Sequence, residues 1–284
     1  MWIIIILIAL IIGLVALSLW LWFRAQAASR NCNILSDTSV NRGPNQIVGS
    51  SSNVLVDTSY GRMVRKSVTP VDQHTCNACW AIATCQTVTD RLRLRGEIPD
   101  DQLNYYAYHD IMISKTPSMD GCSSGTYLNT GLDMFVQNGA PLMSQTRDRN
   151  FNDRYYPSDL LANSYRVQRW RELTAKDPYG NLDIQRTVSN IKRELETKGS
   201  IVTVINIYDS FESFRGSGVY EPGASEYIDP NMSHMVSIVG YDDRDNTWII
   251  RNSYGTSYGY NGYLKIRQGD QRMGVEEYVY APDV

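Results

Sequence analysis

The chain has 284 residues, a formal net charge of −3 and a sequence pI of about 5.7. This length suits one or two domains, and the weakly acidic balance excludes a strongly basic protein that binds nucleic acid. Because 43% of the residues are hydrophobic and 20% are charged, the composition is that of a globular protein, not of a disordered or fibrous one.

The chain opens with an apolar segment, residues 2–23, that contains no charged side chain. As a helix this segment would extend roughly 33 Å, enough to cross a hydrocarbon core of about 30 Å. We therefore predict a single-pass transmembrane anchor over residues 1–23. The alternative is a cleaved secretory signal, suggested by the small side chains at 25 and 27. The length of the apolar segment and the lack of Lys or Arg before it argue against a signal.

The charges that flank the anchor predict its orientation. Arg24 and Arg30 follow the apolar segment, so the positive-inside rule favours a cytoplasmic location for the rest of the chain. Residues 24–51 are rich in Ser, Asn and Gly and show no periodicity, which is typical of a linker.

Apolar residues recur at helical spacing four times after residue 52. The residues that mark these helices are Ala81, Cys85, Val88 and Leu92; Leu103, Ala107 and Ile111; Leu128, Leu132, Phe135 and Val136; and Ile184, Val188, Ile191 and Leu195. The first helix is predicted over 78–95, and glycines at 96, 139 and 199 are suited to ending the first, third and fourth.

The second half contains short runs that are typical of strands. These predicted strands are 201–207, 235–241, 247–250, 262–266 and 277–280. Helices first and strands later predict an α+β protein with two subdomains, a helical one over 52–165 and a β-rich one over 166–284.

Four side chains form a candidate chemical site. Cys79 falls at the start of the first predicted helix, where free N–H groups and the helix dipole stabilise a thiolate. His234 begins a predicted strand and is suited to accept a proton from a thiol near neutral pH. The amide of Asn252 is suited to orient that imidazole, and the amide of Gln73 to bind a developing oxyanion.

Other chemistry is less consistent with these cysteines. Cys76 and Cys79 form a CxxC pair, but a structural zinc site needs four ligands and the sequence has no second CxxC or paired His motif. A thioredoxin-like motif would follow a strand, and none is predicted there. Cys85 lies on the apolar stripe of its helix and is interpreted as a buried core residue. We therefore predict no metal and no cofactor.

Four segments together resemble the papain/cathepsin-like cysteine proteases. They are residues 73–80, 121–125, 233–235 and 252–263, in the order and spacing of that family. The resemblance covers most of 52–284. It implies a papain-like fold with a helical left domain and a barrel-like antiparallel right domain, here behind the N-terminal transmembrane helix. It also implies Cys79 as nucleophile, His234 as base and acid, Asn252 as orienter and Gln73 as oxyanion donor.

The resemblance implies further residues of the site. Cys76 and Cys122 would form a disulfide. The residues expected to contact substrate are Ser124, Gly125, Tyr127, Ile205, Met235, Tyr254 and Ala281.

The chain departs from the family pattern at several positions. Asn77 stands where the family has Gly, and Asn tolerates the left-handed backbone that such a turn can require. Ser124 replaces the first of two glycines. Tyr254 and Tyr258 replace tryptophans that cover the His–Asn pair.

The sequence thus predicts a membrane-anchored cysteine endopeptidase that acts on polypeptides. The alternative is a weakly active or inactive relative with a structural or binding role, suggested by the two tyrosines and the absence of a long prosegment between anchor and domain. The expected partners are peptide substrates and a membrane, with no nucleic acid and no metal. The resemblance also leaves open a viral or virion membrane, because papain-like domains behind an N-terminal anchor occur among proteins of large DNA viruses.

Overall fold

A computed structural model of the chain describes residues 54–98, 100, 125–141 and 164–284. The helices in these ranges are α1 (Cys79–Leu94), α2 (Leu128–Gln137) and α3 (Ile184–Thr197). None of them is both long and apolar enough to cross a bilayer. The predicted anchor (1–23), the predicted linker (24–51) and the predicted helix near 103–111 lie outside the described residues.

The three helices lie where the apolar spacing predicts them, and each is followed by a glycine with a positive φ, which is +71° at Gly139 after α2. Gly96 follows α1 with a φ of +73°, a left-handed conformation that L side chains rarely adopt. Gly199 follows α3 with a φ of +113°, and a Cβ atom there would lie 2.7 Å from the side chain of Leu94. A side chain at 199 would therefore disturb both the turn and the packing of α1.

The strands form one antiparallel sheet. They are β1 (Leu55–Thr58), β2 (Gly61–Val64), β3 (Arg169–Glu172), β4 (Ile201–Tyr208), β5 (Ile228–Asp242), β6 (Thr247–Arg251), β7 (Tyr263–Arg267) and β8 (Val279–Asp283). Their order is β1-β2-β5-β4-β8-β3, with β6 pairing with β5 and β7 with β6. The long strand β5 is central, because it pairs with β2, β4 and β6.

Strands β1, β2 and β3 were not predicted from the sequence. Each has only four residues, and β3 reads Arg-Trp-Arg-Glu, so neither length nor alternation marks them as strands. The β1–β2 hairpin lies within the segment that we assigned to the helical subdomain. It nevertheless joins the sheet of the other half, with Arg62 opposite Tyr241 on β5. The two halves are therefore less segregated than helices first and strands later would suggest.

The core consists of two main hydrophobic clusters. One lies between α3 and the sheet, and the other surrounds α1. The α1 cluster includes Val202 from β4 and Met235 from β5, so α1 packs directly on these two strands. This packing brings the first residue of α1 beside the strand that carries His234.

Candidate active site

The Cys79 thiol lies at the N-terminal end of α1, as the sequence predicts. Cys79 is the first residue of the helix, and its sulfur is free and partly exposed. Removal of the Cys79 thiol from water raises its pKa, whereas the backbone N–H groups of Met235, Trp80 and Cys79 itself lower it. Because one of these N–H groups belongs to Met235, the sulfur lies against β5, next to His234.

The His234 imidazole is held by Asn252. His234 lies on β5 opposite Ile205 of β4, and its side chain is buried. Its Nε2 lies 2.7 Å from Oδ1 of Asn252, which follows the end of β6. Because an amide oxygen can only accept, Nε2 carries the hydrogen and Nδ1 remains the basic nitrogen of the neutral ring.

Burial opposes a charge on each of these two groups. Burial lowers the pKa of His234 to about 4, although the hydrogen bond to Asn252 raises it, and burial raises the pKa of the Cys79 thiol. Each group alone therefore resists carrying a charge. A proton transferred from Cys79 to His234 would leave opposite charges on the two groups, and opposite charges at short range stabilise each other.

The Gln73 side chain is also buried and is oriented from both ends. Its Nε2 donates to the carbonyl of Cys76 over 2.8 Å, and its Oε1 accepts from Oγ of Ser253 over 2.5 Å. An amide nitrogen has two hydrogens, so one remains for a second acceptor. Together with the N–H groups at the start of α1, which lack partners within the helix, this hydrogen can bind an oxyanion beside the sulfur.

Ser253 links Gln73 to Asn252, a role that the sequence reasoning missed. Its N–H donates to Asn252 Oδ1 over 2.8 Å, and its carbonyl accepts from the N–H of Gln73 over 2.8 Å. Its position next to Asn252 in the sequence is the feature that could have indicated this role. Since Gln73 precedes α1 and Asn252 follows β6, this one residue sets the distance between the predicted oxyanion donor and the predicted orienter.

Aromatic rings cover the imidazole. The ring of Tyr254 lies 4.9 Å from that of His234 at an angle of 31°, and Tyr258 meets Tyr254 edge-on at 5.4 Å. Phe211, which the sequence reasoning also missed, lies 6.0 Å from His234. The two tyrosines thus occupy the covering position that the resemblance implied.

A buried ion pair, missed as well, connects α1 to the strand before Asn252. Asp90 on α1 and Arg251 at the end of β6 have no exposed side-chain surface, and their closest charged atoms are 2.9 Å apart. Sequence reasoning overlooked the pair because 161 residues separate its members. The pair fixes the helix of Cys79 against the strand that leads to Asn252.

The residues predicted to contact substrate differ widely in exposure. Tyr127 is 84% exposed at the start of α2, whereas Ile205 and Ala281 are fully buried in the core cluster under α3. Met235 is 5% exposed. Ile205 and Ala281 therefore have no exposed surface for a substrate to touch, and the substrate contacts expected of the seven residues stay a prediction.

The remaining predicted residues belong to the two segments that precede α1 and α2. Cys76 is disulfide-bonded, and its predicted partner Cys122 lies outside the described residues, as does Ser124. Gly125 is exposed. His74 has a positive φ of 50°, whereas Asn77 does not, so Asn77 does not adopt the left-handed backbone that its residue type tolerates.

Metal binding finds no support in the described part of the chain. In those ranges, no group of three or more His, Cys, Asp or Glu side chains is arranged to hold an ion. The side chains that the site brings together are a thiol, an imidazole and two amides.

Comparison with known proteins shows which protein family this chain matches. The sequence model of the family described as "Papain family cysteine protease" matches residues 57–283. The chain is 27% identical over 233 residues to "Cathepsin B-like cysteine proteinase 2" of Haemonchus contortus, covering 72% of this chain and 65% of that protein. It is 26% identical over 214 residues to "Macrodontain-1" of Ananas macrodontes, covering 72% and 84%. The chain thus spans just under two thirds of the length of its Haemonchus relatives, 65% in each case.

Solved structures show the same fold. The structure titled "proCathepsin B S9 from Trypanosoma congolense" superposes with a TM-score of 0.61 at 18% identity, covering 91% of this chain and 85% of that chain. The structure titled "Structure of digestive procathepsin L 3 of Tenebrio molitor larval midgut" also has a TM-score of 0.61, at 17% identity and with 92% and 78% coverage.

Proposed function

Because this chain belongs to the papain family of cysteine proteases, we propose that it is a peptidase that cleaves peptide bonds through an acyl-enzyme on Cys79. The observation that carries the proposal is the hydrogen bond of 2.7 Å between His234 Nε2 and Asn252 Oδ1, beside a thiol at a helix N-terminus. It leaves Nδ1 of the ring as the basic nitrogen, on the strand whose next residue contacts the Cys79 sulfur.

In the first half of the reaction, His234 Nδ1 takes the proton of the Cys79 thiol and the sulfur attacks the substrate carbonyl carbon. The carbonyl oxygen becomes an oxyanion and accepts hydrogen bonds from Gln73 Nε2 and the backbone N–H of Cys79. The imidazolium then gives its proton to the leaving amine as the peptide C–N bond breaks, which leaves a thioester on Cys79.

In the second half, His234 takes a proton from water, and the resulting hydroxide attacks the thioester carbonyl. Collapse of this second tetrahedral intermediate breaks the C–S bond, and the sulfur recovers its proton from the imidazolium. Throughout, Asn252 stabilises the charged ring through Nε2–H, and the tyrosines at 254 and 258 limit the access of water.

The test is labelling of the full-length chain with an epoxide that alkylates active-site thiols, followed by peptide mapping. We expect one label on Cys79 that is lost in Cys79→Ala and strongly slowed in His234→Ala. Cys85→Ala is the matched control, because Cys85 is a second cysteine of the same helix but is buried. Hydrolysis of peptide substrates should show the same pattern.

The opposite result would favour the second candidate, an inactive relative that serves as a structural or binding protein. A folded chain that neither reacts with the epoxide nor hydrolyses peptides would refute the peptidase. The pKa of Cys79 is raised and that of His234 is lowered by burial, so burial opposes a charge on either group alone, which favours this second candidate.

We also propose that residues 2–23 anchor the chain in a membrane with the peptidase domain on the cytoplasmic side. The uncharged apolar run and the arginines at 24 and 30 support this. In sealed microsomes the chain should resist carbonate extraction, and added protease should digest the domain without detergent. Release by carbonate would refute the anchor, and protection of the domain would reverse the orientation.

A further inference from the structure

The side-chain amide of Asn252 has a defined orientation and one unused end. Its Oδ1 faces both Nε2 of His234 and the backbone N–H of Ser253, at 2.7 and 2.8 Å. Because a backbone N–H needs an acceptor, the oxygen must be on this side and Nδ2 on the other. Nδ2 is buried, and among the described residues it has no hydrogen-bond partner.

A second buried polar atom without a partner lies in the same loop, between β6 and β7. The side chain of Tyr258 is 1% exposed, and within the described ranges its hydroxyl makes no hydrogen bond. The backbone joins the two residues through Gly262. Its carbonyl accepts from the N–H of Asn252 over 3.0 Å, and its N–H donates to the carbonyl of Tyr258 over 2.8 Å. The backbone of one short loop thus joins the two residues that carry a buried donor and a buried acceptor.

The surroundings fix the Tyr258 ring in this position. Phe211 lies 5.5 Å and Tyr254 5.4 Å from it, between ring centroids, so the ring has little room to turn away. Burial raises the pKa of Tyr258 well above its usual range, and Tyr254 and Tyr220 raise it further. Arg215 and the neighbouring side-chain amide of Asn252 lower it. The hydroxyl therefore stays protonated and neutral, with an oxygen lone pair to offer.

We propose that Tyr258 is a positioning residue whose hydroxyl oxygen accepts a hydrogen bond from Nδ2 of Asn252. The inference rests on the proposed peptidase function and extends its site by one member. The bond prevents rotation of the Asn252 amide, so that Oδ1 keeps facing Nε2–H of His234 while the ring gains and loses its proton. A tryptophan at 258, the residue implied by the resemblance, would cover the pair but could not accept this bond, because indole N–H only donates.

The test compares Tyr258→Phe, Tyr258→Trp and wild type, each as the full-length chain. Tyr60→Phe is the matched control. Tyr60 also has a buried hydroxyl without a partner among the described residues, but it packs in a separate cluster with Met63 and Val239. The measurements are kcat and KM on a peptide substrate, and the NMR resonance and solvent exchange rate of the His234 Nε2 proton.

We expect Tyr258→Phe to lower kcat about tenfold, the effect of one ordinary hydrogen bond, with KM changed less than about twofold. The Nε2 proton should exchange faster with solvent, and its resonance should shift. Tyr258→Trp should show the same losses despite its larger ring, and Tyr60→Phe should match wild type in every measurement.

Two results would overturn the proposal. One is an unchanged kcat and Nε2 resonance in Tyr258→Phe. The other is wild-type behaviour of Tyr258→Trp, which would mean that the size of the ring matters and its oxygen does not. Absence of turnover in wild type would instead refute the peptidase. The Nε2 resonance would still report whether the Tyr258 oxygen holds Asn252, so the two failures are distinguishable.

Discussion

The buried ion pair between Asp90 and Arg251 offers a sharp test of how the site is assembled. Both side chains are fully buried, and Nη1 of Arg251 lies 3.1 and 2.9 Å from the two carboxylate oxygens of Asp90. The perturbation is Arg251→Gln, which removes the cation and leaves the carboxylate in place. Asp90 then retains only neutral donors, the N–H of Val68 at 2.7 Å and the hydroxyl of Ser200 at 2.6 Å.

The expected cost follows from desolvation. Removing one partner of a buried ion pair leaves a charge without compensation, which lowers the free energy of unfolding by about 3–5 kcal/mol. At about 2–4 °C per kcal/mol for a domain of this size, Tm should fall by roughly 6–20 °C. The double variant Asp90→Asn/Arg251→Gln should recover at least half of the loss, because it removes the lone carboxylate and keeps neutral hydrogen-bonding groups at both positions.

The assay is urea unfolding of the full-length chain with its disulfide intact, followed by tryptophan fluorescence and circular dichroism. Arg267→Gln is the matched control, since Arg267 pairs with Glu221 at the surface, where both side chains are about half exposed. That substitution should cost less than about 1 kcal/mol, because solvent screens an exposed pair.

Two results would refute this reasoning. In the first, Arg251→Gln lowers the free energy of unfolding no more than Arg267→Gln does, which would mean that burial does not increase the contribution of the ion pair to stability. In the second, the loss in the double variant equals the sum of the losses measured separately in Asp90→Asn and Arg251→Gln, which would mean that Asp90 and Arg251 are not energetically coupled.

Three further predictions concern the proton, the oxyanion and the helix start. Stability should fall as the pH drops from about 6.5 to about 4, because the unfolded chain binds a proton at the ordinary imidazole pKa while burial holds the pKa of His234 at about 4 in the fold. Urea titrations across this range should show a flatter dependence in His234→Asn, and equal slopes would contradict the assignment. Gln73→Ala should lower kcat about 10²–10³-fold, because one donor to the oxyanion is lost, and KM should change little. The measurement is steady-state hydrolysis of a peptide substrate. If KM rises by that factor while kcat is unchanged, Gln73 acts in substrate binding instead. Asp183→Ala should lower the free energy of unfolding by about 1 kcal/mol, because its side chain accepts from the N–H of Arg186 at the start of α3. Asp183→Ser should retain most of that stability, and a loss equal to that of the alanine variant would exclude a capping role.

The local features of this chain were predictable from its sequence. Three helices and four strands lie within a few residues of their predicted positions, because apolar periodicity and the glycines that end helices act over neighbouring residues. The strand predicted from 235 instead begins at Ile228. The position of Cys79 at a helix start follows from the same local rules. The motif order also pointed to the family that the comparisons show.

The relations between distant segments were decided only by the tertiary structure. The pairing of the β1–β2 hairpin with β5, the bridge that Ser253 makes between Gln73 and Asn252, and the pair of Asp90 with Arg251 join residues far apart in the chain. Their physical basis is burial, since a polar or charged group withdrawn from water must find its partner in whatever segment the packing places beside it. Residue type limits which partners are chemically suitable, but only the packing of α1 against the sheet determines which of them meet.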